Sequence, residues 1–178
     1  MPVEFLTSDQ QRRYGRYVTD PDRAQLDRYF LLDATDREHV DVRRGEHNRL
    51  GFAVQLGTVR FLGTFQPDPA DVPSAVAEYV AAQLGIADPG VLKRYATRDA
   101  TNRDHAGEIQ RAYGYRDFTE PDVAQEFQAW LVARTEMASE PPSVLFDLAT
   151  VRLLEAKVLL PGAGVLARLI AAVRERSN

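Results

Sequence analysis

The run from Arg43 to Phe65, RRGEHNRLGFAVQLGTVRFLGTF, constrains the fold more than any other part of the chain. It opens basic, breaks at Gly45, and continues with apolar residues at helical spacing from about His47 to Leu62. Leu50, Ala53, Val54 and Phe61 form one stripe; Phe52, Leu56 and Val59 form another. A helix apolar over so wide an arc must be largely surrounded by other elements. Its few polar positions are mostly uncharged. Asn48, Gly51, Gln55 and Thr58 recur at helical spacing and should line one narrow strip.

The rest of the chain repeats the helical signature. Thr7 with Gln10 three residues later has the pattern of a capping box. Asp20-Pro21 should open a helix through Phe30, and Asp33 or Thr35 should cap a short one from about Asp36 to Arg43. SAVAEYVAAQL ends at Gly85, and Asp88-Pro89 begins a helix over Val91 to Tyr95. Thr101 or Asn102 begins another that Gly114 stops. Glu120-Pro121 leads into a helix whose Val123, Phe127, Trp130, Leu131 and Met137 should face the core. SVLFDLATVRLLEAKVLL, with Val144, Leu148, Val151, Leu154 and Val158 as its stripe, should run to Pro161-Gly162, and GVLARLIAAVRER is the last helix. Period-two alternation and hairpin turns are missing. The expectation is an all-α protein of about ten helices in two small helix-turn-helix-like subdomains. The proline-rich stretch 63–74 should divide them into 1–68 and 69–178.

Size and composition narrow the function. A chain of 178 residues buries roughly 70% of its unfolded surface and needs no metal or disulfide to fold. It has no cysteine, which excludes thiolate metal sites and cysteine nucleophiles. No signal peptide or membrane-spanning run is visible, so the cytoplasm is the default compartment. The net charge of −4 argues against nucleic acid, but its distribution softens that. Residues 43–60 hold four arginines against one glutamate, and 91–116 hold six basic against three acidic groups. Residues 149–178 hold five basic groups against two acidic, whereas 117–148 carries seven carboxylates and one arginine. Basic faces and an acidic back fit this pattern, and so does an ordinary solvated surface.

Two regions carry candidate chemistry. Arg43, Arg44, His47 and Arg49 gather at the start of the apolar helix, with Asn48, Gln55 and Thr58 along its strip and Arg60 further on. Asn and Gln can pair with adenine edges, and Arg with guanine or phosphate. A short helix, a glycine turn and this helix have the outline of a helix-turn-helix. The same pattern also reads as a core helix with a plain polar strip. The second region places Lys93, Arg94, Arg98, Arg103, His105 and Arg111 near Tyr113, Tyr115 and Arg116. It reads as a phosphate-holding surface or as helix-surface ion pairing.

Other motifs lead nowhere. Gly162-Ala163-Gly164-Val165-Leu166-Ala167 has the glycine spacing of a dinucleotide turn, but helical spacing precedes it and no second strand can follow. His39, His47 and His105 lack metal-ligand spacing, and no serine sits in a nucleophile elbow. No catalytic group, metal or cofactor is expected.

The HNRLG-to-RFLGTF run, the opening PVEFLTSDQQRRYGRY, VLKRYATRDATNRDHAGEIQRAYGYRDF and the closing FDLATVRLLEAKVLLPGAGVLARLIAAVRER resemble the N-terminal region of the Tn-three family of replicative bacterial transposases. The resemblance implies a helical module that binds the terminal inverted repeats of a transposon. The magnesium-dependent catalytic core of acidic residues would lie outside this chain. The implied partners are double-stranded DNA at transposon ends, and the rest of a transposase or a second copy. A nucleoid-associated location follows from that. The matching basic and polar positions are Arg43, Arg44, His47, Asn48, Arg49, Arg60, Lys93, Arg94, Arg98, Arg103 and Arg111. A module for transposase assembly or host-factor docking is the alternative, with acidic 117–148 and its Phe127 and Trp130 as the surface.

Overall fold

The computed structural model describes residues 5–177. Ten α-helices and one short 3-10 turn make up the regular structure of these residues, and the only β-type pairing among them is an isolated bridge. The protein is all-α, as the periodicity predicts. The helices are α1 Ser8–Arg13, α2 Arg23–Tyr29, α3 Ala34–Asp41, α4 Glu46–Leu62, α5 Ser74–Leu84, α6 Leu92–Ala96, α7 Asp99–Tyr113, α8 Pro121–Met137, α9 Pro142–Glu155 and α10 Ala163–Ser177. The 3-10 turn spans Pro89–Val91.

The chain forms two compact units, divided differently from the proline-rich boundary expected at 68/69. Residues 16–114 form one unit; residues 5–15 and 115–177 form the other. The expected boundary lies inside the first of these, because α4 packs against α2, α3, α5, α6 and α7. A loop rich in proline here joins two helices of the same core.

Unit 16–114 is built around α4. Gly45 at its start has φ +82° and Gly63 at its end has φ +78°, conformations that only glycine adopts without strain. Every residue from Leu50 to Val59 is buried. Two glycines inside the helix allow this. A Cβ on Gly51 would lie 2.2 Å from the Tyr95 ring, and one on Gly57 would lie 2.2 Å from the Phe30 ring. Both rings rest directly on the α4 backbone.

The surrounding elements are held by specific polar bonds. Asp33 and Asp36 form a reciprocal capping box at the start of α3. The buried Asp36 carboxylate also accepts from Arg60 of α4 at 2.7 and 2.9 Å and from the Tyr113 hydroxyl of α7 at 2.7 Å. Gln83 of α5 accepts from the Leu32 amide and donates to the Phe30 carbonyl, each at 2.8 Å, closing the α2–α3 link. At the centre, Gln55 Nε2 donates to the Tyr95 hydroxyl at 2.6 Å, and that hydroxyl lies 2.7 Å from His105 Nδ1. An amide nitrogen only donates, so the tyrosine oxygen accepts from Gln55 and its proton is available to His105 Nδ1.

The other unit buries Phe127, Leu131, Phe146, Leu153, Leu166 and Ile170 from α8, α9 and α10. The α1 segment joins it: Gln10 Nε2 donates to the Ser143 carbonyl and to Asp147, and the Tyr14 hydroxyl donates to the Pro161 carbonyl. Helix α9 stops at Glu155, short of the expected Pro161. Lys157 adopts φ 54°, and the Val158 and Lys157 amides turn back to the Leu153 and Leu154 carbonyls. That hydrogen-bonded cap ends the helix without glycine. Val158 then bridges to Arg116. The core stripe of α9 is Leu145, Phe146, Ala149 and Leu153; Val144 and Val151, expected inside, are about half exposed at 44% and 50%. Met137, also expected inside, is 80% exposed in the last turn of α8.

Two measurements test this packing. Gly51→Ala should destabilise the protein by about 1–3 kcal/mol, because overpacking against Tyr95 outweighs the helix propensity gained. Gly107→Ala in α7 should instead stabilise by about 0.5–1 kcal/mol, since its new Cβ meets only the end of the Arg111 side chain at 3.3 Å. Urea denaturation reads both, and equal effects would remove the special role of Gly51. The second concerns pH. Burial, then the Arg43 charge, lowers the His105 pKa; burial, then Arg94 and Arg98, lowers that of His47. Unfolding frees them to protonate near pH 6.5. Stability should thus be full above that pH and fall as pH drops through it. Burial raises the Asp36 pKa, but Arg60, Tyr113 and the Asp33 amide outweigh this and hold it low. Its contribution is present above about pH 4 and lost below it. The unfolding free energy should therefore show two acid phases, and His105→Asn should flatten the upper one.

Candidate nucleic-acid interface

The structure sorts the thirteen predicted contact residues by what their side chains already do. Four are engaged within the protein. Gln55 and Thr58 are 5% and 2% exposed, and so do not continue the surface strip that starts at Asn48. Gln55 holds Tyr95 and the Asn102 carbonyl, and Thr58 shares a hydrogen bond with the Tyr17 hydroxyl at 2.7 Å. Arg60 is the bidentate partner of buried Asp36 and lies over the Tyr113 ring. Arg43 pairs with Glu108, donates to the His39 carbonyl and covers the Phe52 ring at 4.3 Å. These are corrections to the helix-strip expectation. A helix enclosed by five others cannot present a continuous reading face along its length.

The remaining nine lie at the surface. Arg44, Lys93, Arg94, Arg98, Arg103 and Arg111 are exposed, and none forms an ion pair among the described residues. His47, Asn48 and Arg49 are half-buried in the first turn of α4. Helix α6 crosses α4 where Tyr95 meets Gly51, and this brings Arg94 and Arg98 to that first turn. The two charges act on His47 and, after burial, contribute to its lowered pKa. The His47 ring packs back over Gly45, whose missing Cβ leaves it room.

The first turn of α4 has an unusual polar inventory. His47 Nε2, Asn48 Oδ1 and Arg49 Nε are each shielded from solvent, yet none has a hydrogen-bond partner. Asn48 uses its amide nitrogen on the Arg44 carbonyl at 2.8 Å, which leaves its oxygen to accept. Shielded polar atoms are nearly always paired, so three unpaired ones on consecutive residues are a local anomaly. Gly45 supplies no side-chain cap, so the turn also presents amide donors. Donors and unpaired cations thus gather here, around one shielded acceptor. The cations suit phosphate, and the asparagine oxygen, once uncovered, suits an amino group on a base edge.

The acidic segment is arranged otherwise. Phe127 is buried in the core of its unit, and Trp130 stacks on it at 5.8 Å between ring centres. Phe127 is thus a core residue, and Trp130 is partly buried against it. No group of three or more His, Cys, Asp or Glu among the described residues could hold a metal ion. No helix among them is long and apolar enough to cross a membrane.

Comparison with known proteins assigns the family. Residues 5–173 match a domain of unknown function, DUF4158. The chain is 49% identical over its full length to the transposase for transposon gamma-delta of Escherichia coli (strain K12), and spans 18% of that protein. It is 30% identical over its full length to the transposase for transposon Tn501 of Pseudomonas aeruginosa, again 18% of the relative. It is 34% identical over 70% of its length to the transposase for transposon Tn1546 of Enterococcus faecium, 12% of that protein. The chain therefore belongs to the DUF4158 family and corresponds to the N-terminal region of Tn-three-family transposases.

Proposed function

We propose that this chain is the DNA-binding module through which a transposase holds the inverted-repeat end of its transposon. The observation that carries the reading is the first turn of α4. Its unpartnered His47, Asn48 and Arg49 atoms lie beside Arg94 and Arg98, which have no ion-pair partner among the described residues. Arg44, Arg49, Arg94 and Arg98 bind phosphate oxygens and fix the position of the duplex. His47 and Asn48 meet base edges and supply sequence preference. Lys93, Arg103 and Arg111 extend the positive surface along α6 and α7. The chain spans less than a fifth of its transposase relatives, so strand cleavage and joining are assigned to the portions it does not cover.

Fluorescence anisotropy against a transposon-end duplex and a scrambled duplex, at several salt concentrations, tests the assignment. Arg94→Ala and Arg98→Ala should each weaken both duplexes alike and reduce the slope of log affinity against log salt by about one. Asn48→Ala should cost about 1–3 kcal/mol on the transposon end and much less on the scrambled duplex. Feeble, salt-insensitive binding to both duplexes by the unmodified chain would end this reading.

A further inference from the structure

We propose that the cavity between the α4–α5 loop and the first turn of α7 holds a single unstacked nucleobase; the proposal rests on the reading of the chain as a DNA-binding module. The cavity has a volume of about 370 Å³, within the roughly 300–1,000 Å³ range of small-ligand sites. Phe65 and Pro69 form an apolar side; Asp99, Asn102 and Arg103 of α7 form the polar side. Gln55 of α4 also lines it.

Gln55 is the informative residue. It is 95% removed from solvent, as its exposure is only 5%. Its amide nitrogen is fully used, by the Tyr95 hydroxyl and the Asn102 carbonyl. Its Oε1 accepts from no group among the described residues and is not among the shielded unpaired atoms, and Gln55 lines the cavity. That oxygen is free to accept a hydrogen bond from an occupant of the cavity. Asp99 adds a second acceptor on α7, and Arg103 adds a cation beside it. The exocyclic amino groups of adenine, cytosine and guanine are two-hydrogen donors that can meet both acceptors, whereas thymine offers the single N3–H of its ring. The half-buried Phe65 ring supplies a surface on which a base can stack.

Location favours a nucleotide over other planar amides. Arg98 immediately precedes Asp99, and it belongs to the cationic surface that also contains Arg94 and His47. A strand with its phosphates along Arg94 and Arg98 brings its next nucleotide to the cavity mouth. Pockets for extruded bases combine this stacking with hydrogen bonds to the base edge.

The test is a titration of the ¹⁵N-labelled chain with dAMP, dCMP, dGMP, dTMP and inorganic phosphate, observing the side-chain amides of Gln55 and Asn102. At least one amino-bearing nucleotide should shift both signals saturably, and more strongly than dTMP. Phe65→Ala should weaken that binding roughly ten-fold, the loss of one base–aromatic stack. Thermal denaturation checks its fold; should it not fold, the exposed Asp99→Ala must reduce the preference over dTMP. No shift with any nucleotide, the same shifts from phosphate alone, or undiminished binding by a folded Phe65→Ala would overturn the proposal. Duplex binding measured in parallel separates the two readings. Salt-dependent duplex binding with a silent cavity rejects the pocket alone, and an occupied cavity without duplex binding rejects the module alone.

Discussion

The Tyr95 ring lying on the bare backbone of Gly51 is the contact on which the rest of the 16–114 unit depends. It brings α6 against α4 and carries the Tyr95 hydroxyl to the interior. There it meets Gln55 on one side and His105 of α7 on the other. One aromatic side chain thereby ties three helices together through apolar packing and a chain of hydrogen bonds. Phe30 on Gly57 repeats the arrangement at the far end of α4. Two glycines weaken the helix by about 1 kcal/mol each in intrinsic propensity, but they permit aromatic contacts that no larger residue would allow.

The same enclosure decides where the protein can meet a partner. With α4 buried from Leu50 to Val59, its polar groups reach outward only at its first turn and through the edge of Gln55. The arginines of this unit divide accordingly. Arg43 and Arg60 lie deep and are neutralised by Glu108 and Asp36. Arg44, Arg94 and Arg98 lie outside without a carboxylate partner among the described residues. A net charge of −4 is therefore a poor guide to the local field. The run 117–148, with its seven carboxylates, belongs to the other unit, whose apolar core is its own.

Local signals were legible wherever the governing interaction is short in sequence. The Thr7–Gln10 capping box forms as its spacing predicts, and Pro121 occupies the first turn of α8. Asp22, rather than Asp20, caps α2, because Gln25 lies three residues beyond it and completes the reciprocal pair. Signals failed where a competing interaction came from elsewhere in the chain. Nothing in LLEAKVLL marks Lys157 as a left-handed residue; the cap and the bridge from Val158 to Arg116 end α9 there. Both apolar stripes of α9 satisfy helical periodicity, and packing against α10 selected the one containing Phe146 and Leu153.

The sequence by itself determined the all-α class, most helix positions, the buried character of α4, and the presence of two basic regions. These follow from periodicity and capping, which act over a few residues. The tertiary structure alone decided that residues 5–15 join the C-terminal helices, and that Pro67 to Pro73 is a loop within one unit. It alone decided which polar residues remain available. Arg43 and Arg49 are both arginines in one basic run, yet one is consumed by a carboxylate 65 positions away and the other keeps an unpartnered nitrogen. Partner choice across such a separation depends on how helices pack, and no local pattern encodes it.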